Sequence, residues 1–115
     1  MGIVMMAWET NGDNFDGGSM WAGRSGRQYM MTRVEGDRAA MAAARLYALA
    51  ERGVIRWAGT AQDLIGDHLS RERFRRFNAQ GAQMLSMPSP ADPLALMTLA
   101  WDLEGGHVIA GRDAA

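Results

Sequence analysis

Gly18 to Ser25 (GSMWAGRS) fits the phosphate-loop pattern G-x-x-x-x-G-K-[ST], except that Arg24 stands where lysine belongs. Such a loop works by turning backbone N–H groups, and the N-terminus of a following helix, toward phosphate oxygens. Here Gly26 and a strand-like run follow, and 115 residues leave no room for the rest of a nucleotide-binding α/β sheet. A hairpin loop is the expected role. Asn11, Asp13 and Asp16 resemble the start of a calcium loop, but position 6 is Asp16 instead of Gly and position 12 is Ala22 instead of Glu. A polar turn is expected there. His68 and His107 are the only imidazoles, and the sequence shows no third zinc ligand beside His68 and Glu72. There is no cysteine, no G-x-S-x-G elbow, and no Ser or Thr with an evident base partner. No catalytic residue, cofactor or metal is therefore expected, and the chain reads as a non-enzyme.

The remaining chemical signal is basic. Thr60 to Gly81 (TAQDLIGDHLSRERFRRFNAQG) resembles a helix-turn-helix motif in outline, with Leu69-Ser70 at the turn and Phe74 and Phe77 facing inward. In that motif the second helix enters the major groove, where Arg reads phosphates or guanine edges. The resemblance would give that role to Arg71, Arg73, Arg75 and Arg76. Leu64, Asp67 and His68 depart from the motif, which usually has a small residue midway along its first helix, Gly at the turn and an apolar residue just before it. Glu72 can pair with Arg76, and Asp63 and Asp67 reduce the segment's net charge to +1. A solvated Arg face on an amphipathic helix is the simpler reading, and DNA binding the alternative.

Composition bounds both. All twelve basic residues are Arg, and net charge is −1, so no chain-wide field draws in nucleic acid or acidic membrane. Charge is uneven: residues 35–81 carry eight Arg against six acids, and residues 82–115 carry four acids against one Arg. No apolar run approaches the ~18 residues of a membrane span. Met1 to Trp8 lacks the basic start of a signal peptide. Absence of cysteine fits a cytoplasmic protein. Ten Met and four Trp are the unusual feature. Met fills irregular cores and also makes adaptable binding surfaces. The adjacent pair Met30 and Met31 would point to opposite faces of a strand, so burying both requires cover on both sides.

The elements that must position these residues are read around Asp37 to Gly53 (DRAAMAAARLYALAERG). Asp37 suits an N-cap, Gly53 a C′ position, and the fifteen residues between are rich in strong helix formers. Ala39, Ala42, Leu46 and Leu49 recur at helical spacing, which predicts a buried central helix. Before it, Ile3 to Trp8 and Gln28 to Val34 read as strands, and the Gly/Ser/Arg stretch Gly17 to Arg27 as a loop without an assigned role. After it, Thr60 and Asp63 form a capping box for a short helix with Leu64 and Ile65 inward. A second helix begins at Ser70, with Leu69 and Phe74 as its hydrophobic staple and Gly81 past its end. Ser86 to Pro93 (SMPSPADP) reads as a stiff linker. Asp92 and Pro93 then open a last helix, Leu94 to Glu104, apolar nearly all round and so buried in this domain or against another copy. From His107 the chain can add a short strand.

The expected fold is thus α+β within one domain over residues 1–115: a small N-terminal antiparallel sheet packed on a central helix, with three further helices including a buried C-terminal one. The expected function is a small binding protein, acting as regulator, inhibitor or subunit on a protein partner or a second copy of itself. Met30, Met31, Leu94, Met97 and Trp101 are its expected contact residues.

Overall fold

The computed structural model describes residues 18–35 and 41–111. The expected strand at Ile3 to Trp8, the Asn11–Asp16 turn and the proposed cap Asp37 lie outside them. Six strands close into an antiparallel barrel: β1 (Gly18–Ala22), β2 (Gln28–Arg33), β3 (Arg45–Glu51), β4 (Val54–Gly59), β5 (Gln83–Pro88) and β6 (His107–Gly111), in the spatial order β1-β2-β5-β3-β4-β6. Helices α1 (Ala61–Gly66) and α2 (His68–Ala79) join β4 to β5, and α3 (Pro93–Leu103) joins β5 to β6. The expected small sheet on a central helix is overturned.

The proposed central helix is a strand. Within β3, Leu46, Ala48 and Ala50 point into the barrel beside Trp21, Met31, Ile55 and Leu85. Tyr47 and Leu49 point outward to a second cluster with Trp57, Ala82 and Met84, covered by Leu64, Phe74 and Phe77 of α1 and α2. A strand buried on both faces loses the alternation that identifies a strand, and Ala and Leu then suggest a helix. Gly53 is real punctuation of another kind: Arg52 (φ 52°) and Gly53 (φ 78°) are the two central residues of the β3–β4 hairpin, whose flanking residues Glu51 and Val54 pair. Positive φ at both central positions matches the right-handed twist of the strands.

The expected linker is also partly a strand. β5 lies between β2 and β3, pairing Ser86 with Thr32 on one side and with Tyr47 on the other. Pro88 is tolerated because it ends the strand, opposite Arg45. Only residues 89–92 connect β5 to α3. The expected loop over Gly17 to Arg27 is likewise partly a strand: Gly18–Ala22 is β1, pairing with β2 and β6, and only the residues after it form the hairpin turn into β2.

The signals read at Thr60 hold, and those read at Ser70 do not. Thr60 Oγ1 accepts from Asp63 N at 3.3 Å while Thr60 N donates to Asp63 Oδ2 at 2.8 Å, a complete capping box. α2 begins at His68, not at Ser70, because Asp67 caps it by accepting from Leu69 N and Ser70 N. Ser70 instead accepts a hydrogen bond from the Trp57 indole at 2.9 Å, and Phe74 meets that indole edge-on with centroids 5.0 Å apart. Leu69 and Ile65 are both 72% exposed, so neither the staple nor the inward Ile65 exists.

Candidate functional site

α3 carries the site. Asp92 accepts from Ala95 N at 2.9 Å and Pro93 occupies the first turn, so the helix starts where a cap and a donor-free residue coincide. Leu96, Leu99, Ala100 and Leu103 pack onto the barrel core. Leu94, Met97 and Trp101 point away from it and are 70%, 69% and 60% exposed. The helix is therefore not buried all round, which corrects that part of the expected fold. Ala95 and Thr98 are exposed beside them, and no charged side chain falls between Asp92 and Asp102. Exposed apolar side chains that are contiguous and rimmed by polar groups mark a contact surface, whereas scattered single ones do not.

The lone charge within α3, Asp102, is turned inward. Its carboxylate accepts from Ser25 N at 2.6 Å, Ser25 Oγ at 2.8 Å and Tyr29 Oη at 2.6 Å, and its carbonyl accepts from Arg24 N at 2.8 Å. Gly23 lies so close that a Cβ there would sit 2.7 Å from Asp102 Cγ, so glycine is required for this approach. Burial alone would raise the Asp102 carboxyl; the hydrogen bonds from Tyr29 and Ser25, with the charge of Arg27, outweigh it and hold the group below 3.8. Burial raises the Tyr29 phenol above 10.0, and Asp102 adds to that rise by hydrogen bond and charge. The network is saturated and holds the β1–β2 turn against α3. It offers no unpaired nucleophile or base.

That turn brings Arg24 over Trp101, with the guanidinium carbon 4.8 Å from the ring centroid and Nε donating to the Glu104 carbonyl. Between turn and helix runs a cleft of about 690 Å³, lined by Arg27, Tyr29, Leu94, Thr98, Leu99 and Trp101 among others. A larger cleft of about 900 Å³ lies by the β3–β4 hairpin, bordered by Glu51, Arg52, Gln80 and Gln83. It lacks a comparable apolar face. Among the described residues, no three His, Asp or Glu side chains gather as a metal set.

Of the expected contact residues, Leu94, Met97 and Trp101 share one helix face. Met30 is elsewhere, 45% exposed on the outer wall of the barrel opposite Met20. Met31 points the other way and is fully buried in the core, so it forms no surface. The Arg helix is engaged within the chain. Arg71 donates to the Leu64 and Ile65 carbonyls at 3.0 and 3.3 Å, capping α1. Arg73 donates to the Arg56 carbonyl at 2.9 Å and to Glu104 Oε1 at 3.2 Å. Arg75 pairs with Glu72 at 2.9 Å, in place of the expected Arg76. Arg76 lies 4.8 Å from the Phe77 ring centroid. Sequence reasoning misses the roles of Arg24, Ser25, Tyr29 and Asp102, although a single Asp in an otherwise uncharged helix is a visible signal.

Among the described residues no helix is long and apolar enough to cross a membrane. No protein-family model, curated protein or solved structure matches the chain.

Proposed function

We propose that this chain is a small non-enzymatic binding protein, a regulator, inhibitor or subunit, that engages another polypeptide through the exposed face of α3. One observation carries the reading: Leu94, Met97 and Trp101 stand 60–70% exposed on one face of a helix whose exposed positions carry no charge. Leaving three large apolar side chains in water forgoes roughly 1.5–3 kcal/mol each of burial free energy, which a partner recovers. The stacked Arg24 and the saturated Asp102 network favour a rigid, pre-organised surface, which lowers the entropy lost on docking. Absence of cysteine fits a cytoplasmic site of action. The Arg71–Arg76 helix supports DNA contact less well, because each guanidinium already has a partner in the chain.

The test compares the tagged wild-type chain with Met97→Glu in native cells, followed by reconstitution of the captured polypeptide with purified protein. Binding that Met97→Glu abolishes, with slowed amide exchange over residues 94–101 in the reconstituted complex, supports the reading. Capture unaffected by Met97→Glu excludes this face.

A further inference from the structure

The α3 face fits one occupant on symmetry and charge together. We infer that it is a second copy of this chain, packed helix to helix in antiparallel orientation; this rests on α3 being the docking face. Leu94, Met97 and Trp101 follow the i, i+3, i+7 spacing of a two-helix seam, in which alternate steps of three and four keep side chains facing a partner. A twofold axis through such a seam must present the same patch on both sides. With the axis at Met97, each Met97 meets its counterpart, and Trp101 of one copy lies against Leu94 of the other, about 5–6 Å along the helix to either side.

Charge selects the orientation. The exposed Arg24 marks the Trp101 end of the face through its stacking on that ring, and the exposed Asp92 marks the Leu94 end as the N-cap. An antiparallel pair sets Arg24 of each copy beside Asp92 of the other. A parallel pair would set Arg24 against Arg24 and Asp92 against Asp92, and like charges across an interface disfavour that arrangement. Within α3 itself no charged side chain lies between Asp92 and the inward-turned Asp102, so none on the helix opposes closure of the seam; the exposed Arg27 lies on the neighbouring turn, along the cleft beside it.

The experiment uses the whole chain, which has no cysteine of its own. Wild type should sediment as a concentration-dependent dimer. Met97→Glu should raise the dissociation constant at least tenfold while keeping the thermal midpoint measured at low concentration. In separate single-cysteine variants, Met97→Cys at the axis should oxidise to a disulfide-linked dimer, whereas Leu94→Cys should not. Efficient cross-linking of Leu94→Cys to itself would overturn the antiparallel arrangement. A wild-type protein that stays monomeric at every concentration would overturn the second copy as occupant. In that case, Met97-dependent capture of a different polypeptide would still uphold the docking face, and Met97-independent capture would remove both.

Discussion

The Tyr29 phenol on β2 donates to the Asp102 carboxylate on α3 at 2.6 Å, and the two groups move apart in acidity, Asp102 downward and Tyr29 upward. This bond ties the barrel wall to the helix that carries the exposed apolar face. Its energetics therefore show in the pH dependence of stability, with opposite signs for the two groups.

Asp102 is held below 3.8, so its contribution is complete above that value and is lost as pH falls through the lower folded-state value. Tyr29 is raised above 10.0, so its contribution is complete below that value and is lost as pH rises through the folded-state value. Urea unfolding across pH should show both losses. Tyr29→Phe should remove the alkaline one and Asp102→Asn the acid one. At neutral pH Asp102→Asn should also cost about 1–3 kcal/mol, because an amide cannot accept from all three donors. An acid loss unchanged in Asp102→Asn would assign the titration to another carboxylate.

The β3–β4 turn stores strain at Arg52, the one non-glycine residue with positive φ among the described residues. Left-handed backbone costs an ordinary side chain roughly 1–2 kcal/mol, and Asn tolerates it far better. Arg52→Asn should therefore raise unfolding free energy by about 1 kcal/mol in denaturant titration. A decrease would mean that the Arg52 side chain makes a larger contribution than its backbone costs.

Ala42 and Ala48 separate the observed strand from the expected helix. Helical spacing would bury Ala42, yet it is exposed in the turn before β3, while Ala48 is fully buried between Ala58 and Leu85 on the neighbouring strands. Enlarging Ala48 to Leu should cost about 1–3 kcal/mol through overpacking, and Ala42→Leu should stay within about 0.5 kcal/mol. Thermal melts of the two variants decide; equal destabilisation would place both in packed surroundings.

The Arg helix gives a separate outcome. Arg73→Ala should lower stability by about 0.2–1 kcal/mol, the usual scale for a partly exposed pair such as Arg73–Glu104. Duplex DNA binding should be undetectable even at low salt, since phosphate contacts would have to displace partners within the chain. Steeply salt-dependent binding that Arg75→Glu and Arg76→Glu abolish would instead assign α2 to DNA.

Features set by neighbours along the chain are legible in the sequence itself. Thr60 with Asp63, Asp92 with Pro93, Gly81 after α2 and Gly105 after α3 satisfy or terminate helix ends over four residues or fewer, so side-chain type and spacing suffice to place them. The strand at Gln28–Arg33 is legible for a similar reason, since its aromatic and β-branched content suits extended backbone. Other features depend on partners far away in sequence. Residues 45–51 have helix-forming composition, and only β4 and β5 on either side, with α1 and α2 above, make them β3. Ser86–Met87–Pro88 carries turn residues, yet the open edge of β3 and the need to close the barrel recruit it as a strand. For α3, apolar content alone does not distinguish inward from outward faces. That Leu94, Met97 and Trp101 meet water is decided by the barrel's curvature and by Asp102, whose bonds to Ser25 and Tyr29 fix the helix's rotation.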